Sequence, residues 1–133
     1  MKLHVRNYRD SDYDMIGSWW AHYKEPFTTR DVIPTDTTFI LEYGGAPVAC
    51  ITLFLSNSKG YSSLEGFIKN PEYKDIPRAI TGYLMEYACN VAKNLGYKIV
   101  ALATREDRLV ERYKENGFKI TMTNATTMIK ELR

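Results

Sequence analysis

One short loop in this chain has the residue types to hold a phosphate. Lys74 and Arg78 place two cations four positions apart. Around them Asp75, Ile76, Pro77 and Ala79 complete a step from a half-buried strand into an amphipathic helix. The backbone N–H groups of a helix start have no partner within the helix and sit at the positive end of its dipole, so such a junction binds anions. The loop opens at Asn70-Pro71-Glu72-Tyr73, after a strand that carries Glu65. The region closes on Arg112-Tyr113-Lys114-Glu115-Asn116-Gly117-Phe118. A strand feeding phosphate-binding amides, followed by a Tyr-bearing helix, suits an enzyme that uses a pyrophosphate-containing cofactor.

The elements that must position these residues fit one domain spanning 1–133, long enough to bury a core. Apolar residues at 44% and charged residues at 26% exclude a disordered chain. The net charge of +2 supplies no basic field of the kind that marks non-specific nucleic-acid binding. Both cysteines, Cys50 and Cys89, lie in apolar contexts without a ligand cluster around them. That pattern predicts a reduced protein without a metal site. The N-terminus lacks a signal-peptide core and no apolar run approaches membrane-spanning length, so a soluble, cytoplasmic protein is expected.

Along the chain, Leu3 to Tyr8 alternates as a strand. Ser11 and Asp14 have the spacing of a capping box for a helix carrying Met15, Ile16, Trp19, Trp20 and Tyr23, ended by Pro26. Glu25 to Asp36 is a long connection and therefore a candidate substrate-binding loop. Gly44-Gly45 joins two strands, Thr38 to Tyr43 and Val48 to Leu55, as a hairpin. A further strand, Tyr61 to Lys69, precedes a helix from Asp75 or Pro77 to Leu95, with apolar stripe Ile80, Leu84, Tyr87, Ala88, Val91 and Leu95 and a cap at Gly96. Lys98 to Ala103 reads as a strand buried on both faces. Thr104 to Asp107 reads as a second capping box, Gly117 as the cap of the helix it starts, and Phe118 to Met122 and Thr126 to Ile129 as a last pair of strands. The order βαβββαβαββ predicts an α+β (mixed α/β) domain, with helices packed on a largely antiparallel sheet.

This order resembles the GNAT superfamily of acyl-CoA-dependent N-acyltransferases over essentially the whole chain. Ile68-Lys69-Asn70-Pro71-Glu72-Tyr73 is similar to the family's strand exit, Leu95-Gly96-Tyr97 to its helix end, and Tyr113 to Phe118 to its closing motif. Trp19-Trp20 and Gly45 to Ala49 resemble small bacteriophage-encoded members. The pyrophosphate loop departs from the family pattern: it runs Lys74-Asp75-Ile76-Pro77-Arg78-Ala79, and Pro77 stands where a glycine is usual, removing a donor and fixing φ. Pro suits the first turn of a helix, and Asp75 is placed to be its N-cap.

The resemblance implies a mixed-sheet acyltransferase that uses acetyl-CoA and an amine acceptor, small or macromolecular. Lys74 to Ala79 would cradle the pyrophosphate, and the amides of Ile68 and Lys69 would pair with the pantetheine arm as an added strand. Tyr113 falls on the residue that protonates the departing thiolate in many members; the alternative is a core Tyr packed near Leu109. Glu65 falls where some members place the base for the amine, with Glu42 as a rival; the alternative is a solvated strand charge. Alternation puts Glu65 on one face with Phe67, opposite Leu64 and Ile68. His22 is a candidate for the acceptor site and His4 a weaker one. Arg105, Arg108, Arg112 and Lys114 fit either a solvated helix face or a site for the CoA 3′-phosphate or a phosphate-bearing acceptor. Two rival functions remain: a GNAT-fold binding or structural protein without catalysis, and a phage nucleic-acid-modifying acyltransferase.

Overall fold

A computed structural model describes residues 2–73, 77–104 and 106–132, without the side chain of Arg78. The chain divides into two compact units, Met1–Ala103 and Thr104–Arg133. The first holds β1 (Leu3–Asn7), α1 (Tyr13–His22), β2 (Thr38–Tyr43), β3 (Ala46–Leu55), β4 (Ser62–Lys69), α2 (Arg78–Asn94) and β5 (Val100–Ala101). The second holds α3 (Asp107–Glu115).

The five strands form one mixed sheet in the order β1-β2-β3-β4-β5. The first three pairings are antiparallel, and β4 meets β5 in parallel. Gly44 and Gly45 both have positive φ, which only glycine adopts without steric cost, and they turn the β2–β3 hairpin as expected. Neighbouring strand residues point to opposite faces, and the core divides accordingly. Ile40, Cys50 and Ile68 join Tyr8, Ile16 and Trp19 under α1. Phe39 turns the other way and packs edge-on against Tyr87 of α2. The buried stripe of α2 is Ile80, Leu84, Met85, Ala88 and Ala92. It is rotated from the expected one, so that Leu95 is exposed and Tyr87 and Val91 are half-buried.

All three helices end in the same device. The residue after the cap is left-handed, and the next N–H reaches back five residues: Glu25 to the Trp20 carbonyl, Tyr97 to Ala92, Phe118 to Tyr113. Gly96 and Gly117 supply the left-handed residue in α2 and α3, as expected, whereas Lys24 supplies it in α1 at φ 58°. The first helix therefore stops before Pro26 is reached.

Several local expectations are corrected. The carboxylate at the entrance to α1 is Asp12, not Asp14: its Oδ2 accepts the Arg9 N–H at 2.8 Å and so closes the single 3-10 turn, Asp10–Asp12, that leads into the helix. Asp12 wins that place because Arg6 on β1 also grips it. Thr104 does not cap α3; it accepts the Glu106 N–H in a local turn, and the helix starts at Asp107. The strand expected over Lys98 to Ala103 is reduced to Val100–Ala101, and Ile99 is 56% exposed rather than doubly buried. No strand forms over Phe118 to Met122 or Thr126 to Ile129. Ile120, Met122, Met128 and Ile129 are exposed, and Asn124, between the two segments, has a positive φ of 57°. Alternation creates a strand only where a neighbouring strand or helix face meets the apolar side.

Candidate functional site

In β4 the ladder to β3 slips. Thr52 faces Glu65 and Cys50 faces Ile68, so one residue of β3, Ile51, lies opposite two of β4, Gly66 and Phe67. The extra residue lies at Gly66–Phe67, and Gly66 has φ +68°. A bulge of this kind needs a residue that tolerates the left-handed region. The slip overturns the simple alternation of the strand. Glu65 lies on the α1 face together with Ile68, not opposite it, because the bulge restores Ile68 to the side that Glu65 occupies.

Beyond Ser63 the strand also loses its neighbour. The pairing to β5 covers only Ser62 and Ser63, and from Leu64 to Ile68 the second edge of β4 has no strand beside it among the described residues. The strand then ends at Asn70, a firmly held corner. Its side-chain amide donates to the Pro47 carbonyl at 2.9 Å, its Oδ1 accepts the Glu72 N–H at 3.0 Å, and its own N–H donates to the Val48 carbonyl at 2.8 Å. Lys74, Asp75 and Ile76 lie outside the described residues, as does the expected N-cap role of Asp75. Helix α2 begins at Arg78, with Pro77 as N-cap rather than inside the first turn. Pro77 has no side-chain acceptor, so the N–H groups of Arg78 and Ala79 are not capped by it; the Ile80 N–H donates to the Pro77 carbonyl. A strand edge unpaired among the described residues, followed by a helix whose N-cap residue offers no side-chain acceptor, fits an extended arm ending in a pyrophosphate.

On the α1 face lies a cleft of about 240 Å³. Trp20, Phe27, Ile33 and Phe54 wall it, and Tyr8, Thr52 and Glu65 bring polar atoms. Five of its residues, Pro26, Phe27, Thr28, Val32 and Ile33, come from the long connection expected to bind substrate. That connection is pinned to α1. The Tyr13 hydroxyl donates to the Thr28 carbonyl at 2.6 Å, Phe27 stacks on Trp20, and Gly17 leaves room for the Phe27 ring. Arg30 lies over the Tyr13 ring and pairs with Asp10 at 2.8 Å.

The rival carboxylate, Glu42, is committed elsewhere: Arg6 Nε donates to it at 2.9 Å while the two terminal nitrogens of Arg6 hold Asp12 at 2.8 and 2.9 Å. These hydrogen bonds hold the Asp12 carboxyl below its ordinary range, against the opposing effect of its burial. Glu65 is exposed and accepts from the Ser63 hydroxyl at 3.3 Å. His22 is exposed against Tyr23 and does not line the cleft, and His4 is exposed on β1.

In the second unit, Tyr113 is buried with its ring set edge-on to Phe118 at 6.1 Å. Burial pushes its phenol above the ordinary value, so it stays protonated at neutral pH. Arg108 and Lys114 are exposed and pair with Glu106 and Glu111 at 3.5 Å, as a solvated helix face does, and Arg112 is half-buried. Arg105 lies outside the described residues. Tyr8 and Thr52 escaped the sequence reading because a Tyr at a strand end and a Thr within a strand carry no local mark of their place in a cleft.

Among the described residues no helix is long and apolar enough to cross a membrane. No curated protein matches the chain by sequence. Solved structures match it by fold. An N-acetylglutamate synthase from Neisseria gonorrhoeae, solved with coenzyme A and N-acetyl-glutamate, is 16% identical with a TM-score of 0.77; the match covers 92% of this chain and 29% of that one. An acetyltransferase from Trypanosoma brucei is 15% identical with a TM-score of 0.74, over 96% of this chain and 100% of that one. A glucosamine-6-phosphate N-acetyltransferase from Arabidopsis thaliana is 10% identical with a TM-score of 0.72, over 98% and 100%. The chain thus spans under a third of the length of the first of these and the full length of the other two. The model of the acetyltransferase (GNAT) family matches residues 3–118. With its bulged, half-paired β4 running into the start of α2, the chain belongs to the GNAT family of acyl-CoA-dependent N-acyltransferases.

Proposed function

We propose that this protein transfers an acetyl group from acetyl-CoA to a primary amine by direct attack within a ternary complex. The observation that carries the reading is β4. Among the described residues no strand lies on its second edge from Leu64 to Ile68, its bulge falls at Gly66, and the residue before the bulge is the carboxylate lining the cleft. The amides of Ile68 and Lys69 would hold the pantetheine arm. The loop of Lys74, Asp75, Ile76, Pro77, Arg78 and Ala79 would hold the pyrophosphate at the start of α2.

Acetyl-CoA supplies an activated thioester. The amine nitrogen forms the new bond to the acyl carbon and the carbon–sulfur bond breaks. Glu65, directly or through water, accepts the proton that leaves the nitrogen, and Tyr113 donates one to the departing thiolate. A phenol has a higher pKa than a thiol in water, and burial raises that of Tyr113 further. The phenol therefore serves as a donor only where sulfur carries full negative charge in a poorly hydrated site. Holding two substrates in register supplies much of the acceleration.

A cytoplasmic location and a small bacteriophage origin belong to this same proposal and rest on composition and resemblance. The test is thermal: a ligand that binds only the native state raises its melting temperature. Acetyl-CoA at millimolar concentration is expected to raise it, and thiol release is expected when an amine is added. Pro77 at the N-cap is the feature that favours a non-catalytic relative, and absence of any shift would favour that reading.

A further inference from the structure

The polar atoms of the cleft are arranged by a chain of hydroxyls. The Thr38 hydroxyl lies 2.8 Å from the Pro34 carbonyl, to which it donates its only hydrogen. It also lies 3.0 Å from the Thr52 hydroxyl. With its hydrogen already given to Pro34, Thr38 can only accept in that second bond, so Thr52 donates. Thr52 then presents lone pairs alone to any further partner. Directly across the ladder stands Glu65, also an acceptor, with side-chain origins on paired strands about 5 Å apart. Glu65 is the one charged side chain among the described residues that line the cleft. The remaining wall is largely aromatic and aliphatic. Tyr8, also lining it, is 4% exposed and has a buried hydroxyl without a hydrogen-bond partner among the described residues.

We infer that the acceptor is a primary amine carried on a compact apolar group, an arylalkyl or branched alkyl amine without a carboxylate or phosphate. This rests on the acyl-transfer reading in taking the bound amine as the acceptor. Two acceptor atoms side by side recognise a donor with several hydrogens, which an ammonium is. Among the described residues the cleft has one carboxylate and no cation, which disfavours a second negative charge on the ligand. Trp20, Phe27 and Phe54 bury the apolar part, and a ring face near the ammonium adds a cation–π attraction. A dry cavity of about 150 Å³ takes benzene, so this cleft suits a group of roughly ten heavy atoms. The ligands named for two fold relatives, N-acetyl-glutamate and glucosamine 6-phosphate, are both anionic, and the described residues of this cleft offer no cation to pair with either.

Two measurements on the full chain test this. Without cofactor, phenethylamine should change the tryptophan fluorescence saturably, with Trp20→Phe losing the signal. With acetyl-CoA, phenethylamine and phenylalaninamide should release thiol, at kcat/KM at least about tenfold above phenylalanine, which differs from them by its carboxylate. Glutamate and glucosamine 6-phosphate should be inert. Thr52→Val should weaken phenethylamine binding about tenfold, and Thr52→Ser should restore it, which separates recognition from packing. Thiol release with glutamate or glucosamine 6-phosphate but not phenethylamine would overturn the inference and leave acyl transfer standing. Saturable phenethylamine binding with no thiol release from any amine would remove the acyl-transfer reading while keeping an amine site. Absence of phenethylamine binding overturns the inference outright.

Discussion

Glu65 stands opposite Thr52 across the β3–β4 ladder, one residue before Gly66 breaks the register. The pair places a carboxylate and a hydroxyl with no hydrogen to give beside the stretch of β4 edge that lacks a strand among the described residues. Substituting Glu65→Gln keeps the shape and removes the base. Turnover at neutral pH is expected to fall about a hundredfold or more, while the acetyl-CoA melting shift stays the same. Thiol-release kinetics and a melting curve on one preparation check both halves. Turnover within a few-fold of the parent would assign proton removal to water.

Gly66→Ala probes the bulge itself. A Cβ at that position meets nothing nearer than the Thr52 hydroxyl at 4.0 Å, so the cost is backbone strain alone. Forcing a residue with a Cβ to φ +68° costs about 1–2 kcal/mol. Chemical denaturation should show a loss of that size. If the bulge relaxes to escape the strain, Glu65 and Ile68 return to opposite faces and acetyl-CoA binding weakens as well.

Tyr113→Phe retains the ring contact with Phe118 and removes the hydroxyl. A general acid predicts at least about a hundredfold lower kcat with an unchanged cofactor melting shift. A purely structural Tyr113 predicts the reverse, lower stability with near-normal turnover per folded molecule. The amine found by the thiol-release screen serves as acceptor for this measurement.

Asp12 links pH to stability. Its carboxyl titrates below the ordinary value of 3.8, chiefly through the Arg6 hydrogen bonds. A depressed native pKa adds stability that is present above pH 3.8 and lost as pH falls through the lower native value. Asp12→Asn should cost on the order of 2 kcal/mol at neutral pH, since it breaks a charge-assisted pair at the start of α1. The gap between parent and variant should narrow below pH 3.8. A gap that stays constant to the acid limit would show that Arg6 does not depend on this carboxylate.

Features written in adjacent residues were legible without the structure. Gly44-Gly45 marked the hairpin, Gly96 and Gly117 the helix ends, and the order of strands and helices carried the family. Each depends on φ preferences or on a period that a short window contains. What tertiary structure decided involves partners far apart in the chain. Ser11 and Asp14 have the spacing of a capping box, yet Asp12 closes the turn that leads into α1 because Arg6, from β1, reaches it. Lys24 takes a left-handed cap with no glycine to announce it. The two strands expected over Phe118 to Met122 and Thr126 to Ile129 do not form. Glu65 lies with Ile68 only because β3 and β4 accommodate one extra residue at Gly66. A side chain's face is a property of its neighbours' register, and register is settled by the energy of pairing whole strands, which no single strand contains.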